Sequence, residues 1–257
     1  MDWNPTQYLR YADERERPFA DLLARIDCAA PRAVVDLGCG PGRLTATLAQ
    51  RWPAARIEGV DSSAAMIESA RPLETPNIRF RVADVAEWTP EPDIDVIVSN
   101  ATLQWVPEHR SLLTRWAAAM PAGGWLAMQV PGNFDAPSHV LMRELAASAR
   151  WAARLAGVLR HAGAVDSPPG YAQLLAAAGL SVDVWETTYL HVLRGADPVL
   201  EWVRGTGLRP VLAALPADEA AQFEQEYAAL LRTAYPAEAD GTTLFPFRRI
   251  FAVGQRR

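Results

Sequence analysis

A chain of 257 residues with a net charge of −5, 50% hydrophobic and 21% charged, is long enough for one large domain or one domain carrying a substantial insertion. No uninterrupted apolar run approaches the roughly 20 residues that cross a bilayer. An acidic chain also lacks the broad basic surface that holds a phosphate backbone, so neither a membrane nor a nucleic acid is expected as a partner. All 25 basic residues are arginine. Without lysine, a Walker A phosphate loop, a pyridoxal Schiff base and the Tyr-Lys pair of many short-chain dehydrogenases are excluded. Met1-Asp2-Trp3-Asn4-Pro5 shows no basic stretch followed by an apolar core, so a cytoplasmic location is expected. Cys28 and Cys39 are too few for a disulfide framework and neither has a nearby histidine. His109, His139, His161 and His191 are too widely spaced to share a face, so no metal is expected.

From Pro31 onward short β-branched runs alternate with amphipathic helices, the pattern of parallel strands with crossover helices. The spacing predicts a strand over Ala33–Leu37, a tight turn at Gly38-Cys39-Gly40-Pro41-Gly42 and a helix running to Trp52. A second strand over Arg56–Val60 ends at Asp61, and Ser62-Ser63 can cap a helix bearing Met66, Ile67 and Ala70. Ile78–Val82 reads as strand three, with Asp84 just beyond it. Ile94–Val98 is strand four, ending in Ser99-Asn100, followed by a helix from His109 to Met120 and a fifth strand over Trp125–Val130. Beyond Pro131 the alternation breaks. Residues 138–160 form a long helical stretch, Ser167-Pro168-Pro169-Gly170 turns into a helix ending at Gly179, and Ser181–His191 alternates as a strand. Two or three helices over 197–235 are broken at Gly205, Gly207, Pro210 and Pro216, before a final strand over Leu244–Val253. The simplest architecture is one doubly wound α/β sheet with helical insertions between its late strands, which in open α/β folds cap the carboxyl edge where ligands bind.

Three glycines between a strand and a helix allow the backbone to turn tightly and to approach a ligand closely. Their GxGxG spacing, with Arg43 where a dinucleotide fingerprint has its last glycine, argues against NAD. Asp61, about 20 residues beyond them, stands where a carboxylate accepts from both hydroxyls of an unphosphorylated ribose, and equally where an aspartate caps a helix. Asp84 carries the same ambiguity at a position suited to an adenine amino group.

In combination, DLGCGPG at Asp36–Gly42, VDSS at Val60–Ser63, ADV at Ala83–Val85 and SNATLQW at Ser99–Trp105 resemble the successive motifs of class I S-adenosylmethionine-dependent methyltransferases. The resemblance implies a Rossmann-like seven-stranded sheet, mostly parallel with an antiparallel last strand. It also implies that Gly38, Gly40 and Gly42 face the methionine portion of S-adenosyl-L-methionine, that Asp61 holds the ribose, and that Ser62 and Met66 border the nucleoside. Asp84 and Val85 would then hold the adenine, Asn100 would lie beside the transferable methyl, and Asp36 would orient the glycine loop or meet the methionine ammonium through water. DWNPTQYL, RWPAARIEGVDSSAAMI, ATLQWVPEH, SHVLMRE, WETTYLH, TGLRP and FRRIFAV further resemble the trans-aconitate 2-methyltransferase family, which forms a monomethyl ester of a small unsaturated tricarboxylic acid. On that basis residues 1–257 are one domain. It comprises N-terminal lid helices over about 1–30, a cofactor-binding core over 31–130, cap insertions over 131–180 and 195–243, and late strands over 181–194 and 244–257.

A carboxylate acceptor is ionised at neutral pH, with a pKa of about 4, and attacks a methyl group without a general base. No catalytic acid or base is therefore sought. Asn100, Gln104 and Trp105 are expected to position the reactants. A tricarboxylate needs fixed cations, for which the planar arginine fork is suited. Candidates are Arg194, Arg209, Arg248 and Arg249. Arg248 and Arg249 point to opposite faces of a strand, so one alone is expected in the pocket, and Arg249, inside an apolar strand, is preferred. His139, Tyr189 and His191 are further candidate donors, although such side chains are more often buried and satisfied, and Tyr8 is a candidate whose other reading is packing on the sheet. Trp3, Tyr8 and Tyr11 begin an aromatic amphipathic segment that in the resembling family closes over the cofactor. Two other readings stay open: another small or carrier-bound acid as acceptor, which would need fewer arginines, and a non-catalytic ligand-binding protein, against which the intact glycine and SNATLQW motifs stand. The sequence is silent on oligomeric state.

Overall fold

The computed structural model describes residues 12–159 and 162–257. Trp3, Tyr8, Tyr11, the first part of the expected lid, and His161 lie outside them. The elements in order are α1 (Ala12–Leu23), β1 (Ala33–Leu37), α2 (Arg43–Arg51), β2 (Arg56–Asp61), α3 (Ala64–Ala70), β3 (Ile78–Val82), β4 (Ile94–Asn100), α4 (His109–Ala119), β5 (Trp125–Pro131), α5 (Pro137–Ala146), α6 (Ala152–Leu155), α7 (Pro168–Ala177), β6 (Leu180–Arg194), α8 (Pro198–Arg204), α9 (Arg209–Ala214), α10 (Ala217–Ala234) and β7 (Thr242–Arg256). The strands form one seven-stranded sheet in the order β3-β2-β1-β4-β5-β7-β6. β1 to β5 run parallel, and β7 is antiparallel to β5. This is the expected doubly wound topology.

The chain divides into two compact units. Of the described residues the first comprises 12–131, 165–187 and 249–257, and the second 132–159, 162–164 and 188–248. In the first unit β1 is buried along its whole length, as a central parallel strand covered on both faces must be. One face of the sheet packs Val35, Leu37, Ile97, Met128 and Ile250 against Leu113 and Trp116 of α4 and Tyr171 and Leu175 of α7. Each such large side chain contributes about 1.5–3 kcal/mol on burial. Helix α7 falls within the range expected for the cap, yet its fully buried Tyr171 and Leu175 place it in the core of the sheet unit. The opposite face is covered by α1, which packs on β5 and buries Phe19 and Leu22.

The second unit is built around α10, whose Phe223, Tyr227 and Leu231 form a buried stripe at helical spacing. Its Tyr227 hydroxyl donates to the Ser138 carbonyl at 2.5 Å, and the Tyr235 hydroxyl accepts from the Ser138 N–H at 3.1 Å, so both sides of one residue on α5 are held. The continuous helix expected over 138–160 is instead α5 and the short α6. Between them Trp151 is buried, packs edge-on against Phe223 and donates its indole N–H to Glu226. That tertiary anchor overrides a run whose local propensity alone reads as helix throughout. The helices expected over 197–235 are three, separated at Gly205–Leu208 and at Leu215-Pro216.

Candidate active site

The glycine loop leaves β1 at the carboxyl edge of the sheet. Gly38, Gly40 and Gly42 all have positive φ, at +82°, +54° and +77°. The reasons for glycine differ between them. A Cβ on Gly38 would stand 2.0 Å from the Thr102 hydroxyl, and one on Gly42 would stand 2.6 Å from the ring of Phe80, whereas at Gly40 the space is open. Gly38 and Gly40 line a cavity of about 320 Å³ with Asp61, Ser62, Met66, Asp84, Val85, Asn100, Ala101, Thr102, Trp105 and Val106. Gly42 does not line it, and its glycine serves close packing of the loop on β3.

Asp61 organises this loop. One carboxylate oxygen accepts from the Gly40 N–H at 2.9 Å and the other from the Ser63 N–H at 2.8 Å. Burial pushes its pKa up, opposed by those two hydrogen bonds. Ser63, not Ser62, supplies the cap of α3, accepting from the Met66 N–H, so Ser62 is left to the cavity wall. Asp84 is exposed and accepts from the Ala86 N–H at 2.8 Å. The cavity therefore offers two carboxylates and no cation among its lining residues. That charge pattern disfavours a phosphorylated ligand and suits a nucleoside that carries positive charge.

Asp36 does not reach the cavity. It lies fully buried on β1, accepting from the Thr45 hydroxyl at 2.6 Å. Desolvation raises its pKa to about 7 in spite of that bond. It ties α2 to β1 beneath the loop, as the expected orienting role would require. Cys39 is also buried, with its thiol pushed well up by desolvation, which suppresses the reactive thiolate.

Beyond β4 the backbone is strained. Ala101 adopts φ of +55°, which for a residue with a Cβ costs about 1–3 kcal/mol. Both of its peptide groups are held: its N–H donates to the Gln129 carbonyl at 2.9 Å, and its carbonyl accepts from the Gln104 side-chain amide at 2.6 Å. Gln104, expected with Asn100 and Trp105 to position the reactants, is thus a buried support of the wall, whereas Trp105 lines the cavity. The Thr102 hydroxyl bridges the carbonyls of Asn100 and Gly38 at 3.2 and 3.3 Å, joining the loop after β4 to the glycine loop. No spacing rule marks Ala101 or Thr102 in the sequence. Asn100 Oδ1 is buried with no hydrogen-bond partner among the described residues and lines the cavity.

Arg249 lies on β7 opposite Pro131, the last residue of β5. It is 5% exposed, and its Nη1 donates to Gln129 Oε1 at 3.2 Å. In the second unit Arg248 is half-buried, its Nε donating to the Gly132 carbonyl, and Arg194 is exposed. His139 lies in the first turn of α5 beside Phe134 and Ser138, and Pro137, not His139, opens the helix. A Cβ on Gly207 would stand 3.2 Å from His139 Nε2, so the segment leading to the half-buried Arg209 is brought beside this histidine. Tyr189 and His191 are buried in an aromatic group with Trp202 and Phe247. His109 accepts no such role: it hydrogen-bonds the Val106 carbonyl and the Tyr171 hydroxyl, and burial lowers its pKa.

The methyltransferase domain family matches residues 11–183. A trans-aconitate 2-methyltransferase from Streptomyces coelicolor is 59% identical over 99% of this chain and 86% of its own length. A second, from Rhodococcus jostii, is 57% identical over 98% of this chain and 99% of its own. The chain belongs to the trans-aconitate 2-methyltransferase family. A solved structure of Haemonchus contortus phosphoethanolamine N-methyltransferase 2, holding phosphomonomethylethanolamine and S-adenosylhomocysteine, is similar in fold. Its TM-score is 0.55 at 15% identity, covering 94% of this chain and 53% of that one. The seven-stranded sheet with antiparallel β7 is the class I methyltransferase fold. Among the described residues no helix is long and apolar enough to cross a membrane, and no three potential metal ligands stand together.

Proposed function

We propose that this member of the family transfers a methyl group from S-adenosyl-L-methionine to one carboxylate of trans-aconitate, giving the monomethyl ester. The observation that carries the cofactor half is the cavity at the ends of β1, β2 and β4, which presents carboxylates and glycine backbone and no cation. The near-complete coverage by relatives of one activity carries the acceptor half.

The cofactor supplies an electrophilic methyl on a sulfonium. Gly38 and Gly40 admit its amino-acid portion close to the backbone, and Asp61 keeps lone pairs for the ribose hydroxyls on the same oxygens that fix the loop. Ser62 and Met66 border the nucleoside, and Asp84 and Val85 the adenine. Asn100 aims an amide at the reacting edge, and Asp36 steadies the loop through Thr45.

Arg249 is the residue of the first unit that we assign to the acceptor carboxylate, and Arg209, His139, Tyr189 and Tyr8 are further candidates from the family resemblance. The carboxylate is already ionised, so they need only fix it in line with the methyl and shed its water. Bound there, the sulfonium would give up its methyl group to the carboxylate oxygen and keep the bonding pair of the broken S–C bond. Opposite charges are neutralised in that step, so orientation, more than tight binding of the charged ground state, accelerates it.

Incubation with methyl-labelled cofactor and a panel of mono-, di- and tricarboxylic acids tests this reading. Label transfer to trans-aconitate as a base-labile ester, ahead of the mono- and diacids, is expected. Preference for a monoacid, or cofactor binding without turnover on any acid, overturns it.

A further inference from the structure

Gln129 stands two residues before the end of β5, with no exposed surface, where an apolar residue would satisfy packing. A buried amide costs stability unless its groups are used. Three features show how this one is used. Its backbone carbonyl accepts from the N–H of the strained Ala101. In the β4–β5 register it stands beside Asn100. Its side-chain Oε1 accepts from Arg249 Nη1 at 3.2 Å, while its Nε2 is buried with no hydrogen-bond partner among the described residues. One residue thus joins the wall of the cofactor cavity to the arginine on β7.

We infer that Gln129 is a positioning and specificity residue: it fixes the plane of the Arg249 guanidinium, and with its own unpartnered amide N–H it completes a paired donor set for one carboxylate of the acceptor. The inference rests on the proposed carboxylate methylation. A neutral amide is the chemistry this position needs. A carboxylate there would form an ion pair with Arg249 and compete with the substrate anion, whereas an apolar side chain would remove the acceptor that orients Nη1. Because Gln129 also carries Ala101, placement of the acceptor carboxylate is tied through one strand residue to the place where the methyl is presented.

The test is a double-mutant cycle of Gln129→Met and Arg249→Met, with Gln129→Glu beside it, in the full-length enzyme. kcat and KM are measured with trans-aconitate and with a diacid lacking one carboxylate, and S-adenosylhomocysteine affinity is measured by calorimetry. Gln129→Met retains the volume and should raise KM for the triacid about tenfold, with cofactor affinity within about twofold of wild type. Gln129→Glu should raise it further and narrow the preference for triacid over diacid. In the Arg249→Met background, Gln129→Met should add little, since the partner it orients is gone. A triacid KM unchanged in Gln129→Met, or effects of the two substitutions that simply add, overturns the inference and leaves the methyltransferase reading standing. A wild-type enzyme that methylates no carboxylic acid overturns that reading, and the inference with it. A merely structural role for Gln129 would lower cofactor affinity and kcat together for both acids, without the change in preference.

Discussion

The two sides of the sheet's carboxyl edge are made differently. At β1, β2 and β4 the cavity is built from backbone: two glycines at positive φ, an alanine forced into the same region, and aspartates that accept from nearby N–H groups. At β5 and β7 the Arg249 site is built from side chains brought together by an antiparallel pairing, Gln129 and Arg249 standing 120 residues apart. The first kind of site is written in short local motifs, because each residue type is demanded by the conformation of its own segment. The second depends on register, and a shift of one residue in β7 would turn Arg249 to the opposite face.

The sharpest way to break this contrast is Arg249→Met. Leaving an acceptor carboxylate unpaired in a buried site costs about 2–5 kcal/mol, so kcat/KM for trans-aconitate should fall at least tenfold while S-adenosylhomocysteine affinity holds. Arg249→Lys should recover only part, as a point charge lacks the bidentate fork. Steady-state kinetics beside calorimetry separates the two, and a parallel loss of cofactor affinity would erase the division between the regions.

Asp61→Ala should act in the opposite sense, weakening S-adenosylhomocysteine by about 1.5–3 kcal/mol. It loses the ligand contact and also frees the Gly40 and Ser63 N–H groups. Calorimetry on the folded variant is the check, and unchanged affinity would remove Asp61 from the site.

Gly38→Ala sharpens the backbone half. The added methyl would collide with Thr102 and must adopt φ near +82°, so a loss of about 1–3 kcal/mol in thermal or urea unfolding is expected. Gly40→Ala, with open space at its Cβ, should cost less, the strain of φ alone remaining.

A pH dependence with two opposed parts separates the buried groups beneath the loop from the site itself. The folded-state pKa of Asp36 is raised from 3.8 to about 7. Its contribution is therefore full below 3.8 and is lost as pH rises towards 7, because the unfolded chain releases the proton first. Burial lowers the pKa of His109 below 6.5, so its contribution is present above 6.5 and is lost as pH falls below that value. Asp36→Asn, which keeps an acceptor for Thr45, should remove the first slope and leave the second. Urea midpoints from pH 5 to 8 measure both.

The alternation of strands and helices through Trp125–Pro131, the glycine turn, and the aspartates ending or following β2 and β3 all follow from local chemistry: periodicity, turn residues and caps. The β-strand expectation for Leu244–Val253 also captured the alternation that buries Arg249. The break at Trp151 within 138–160, the membership of α7 in the sheet core, the support of Ala101 by Gln129, and the bridge from Thr102 to Gly38 were not legible there. Each depends on a partner remote in sequence. A glycine turn or a capping aspartate is visible in its own segment, whereas a contact between distant segments leaves no mark on either residue until register and packing bring the two together, and even the strained Ala101 is held by such a contact.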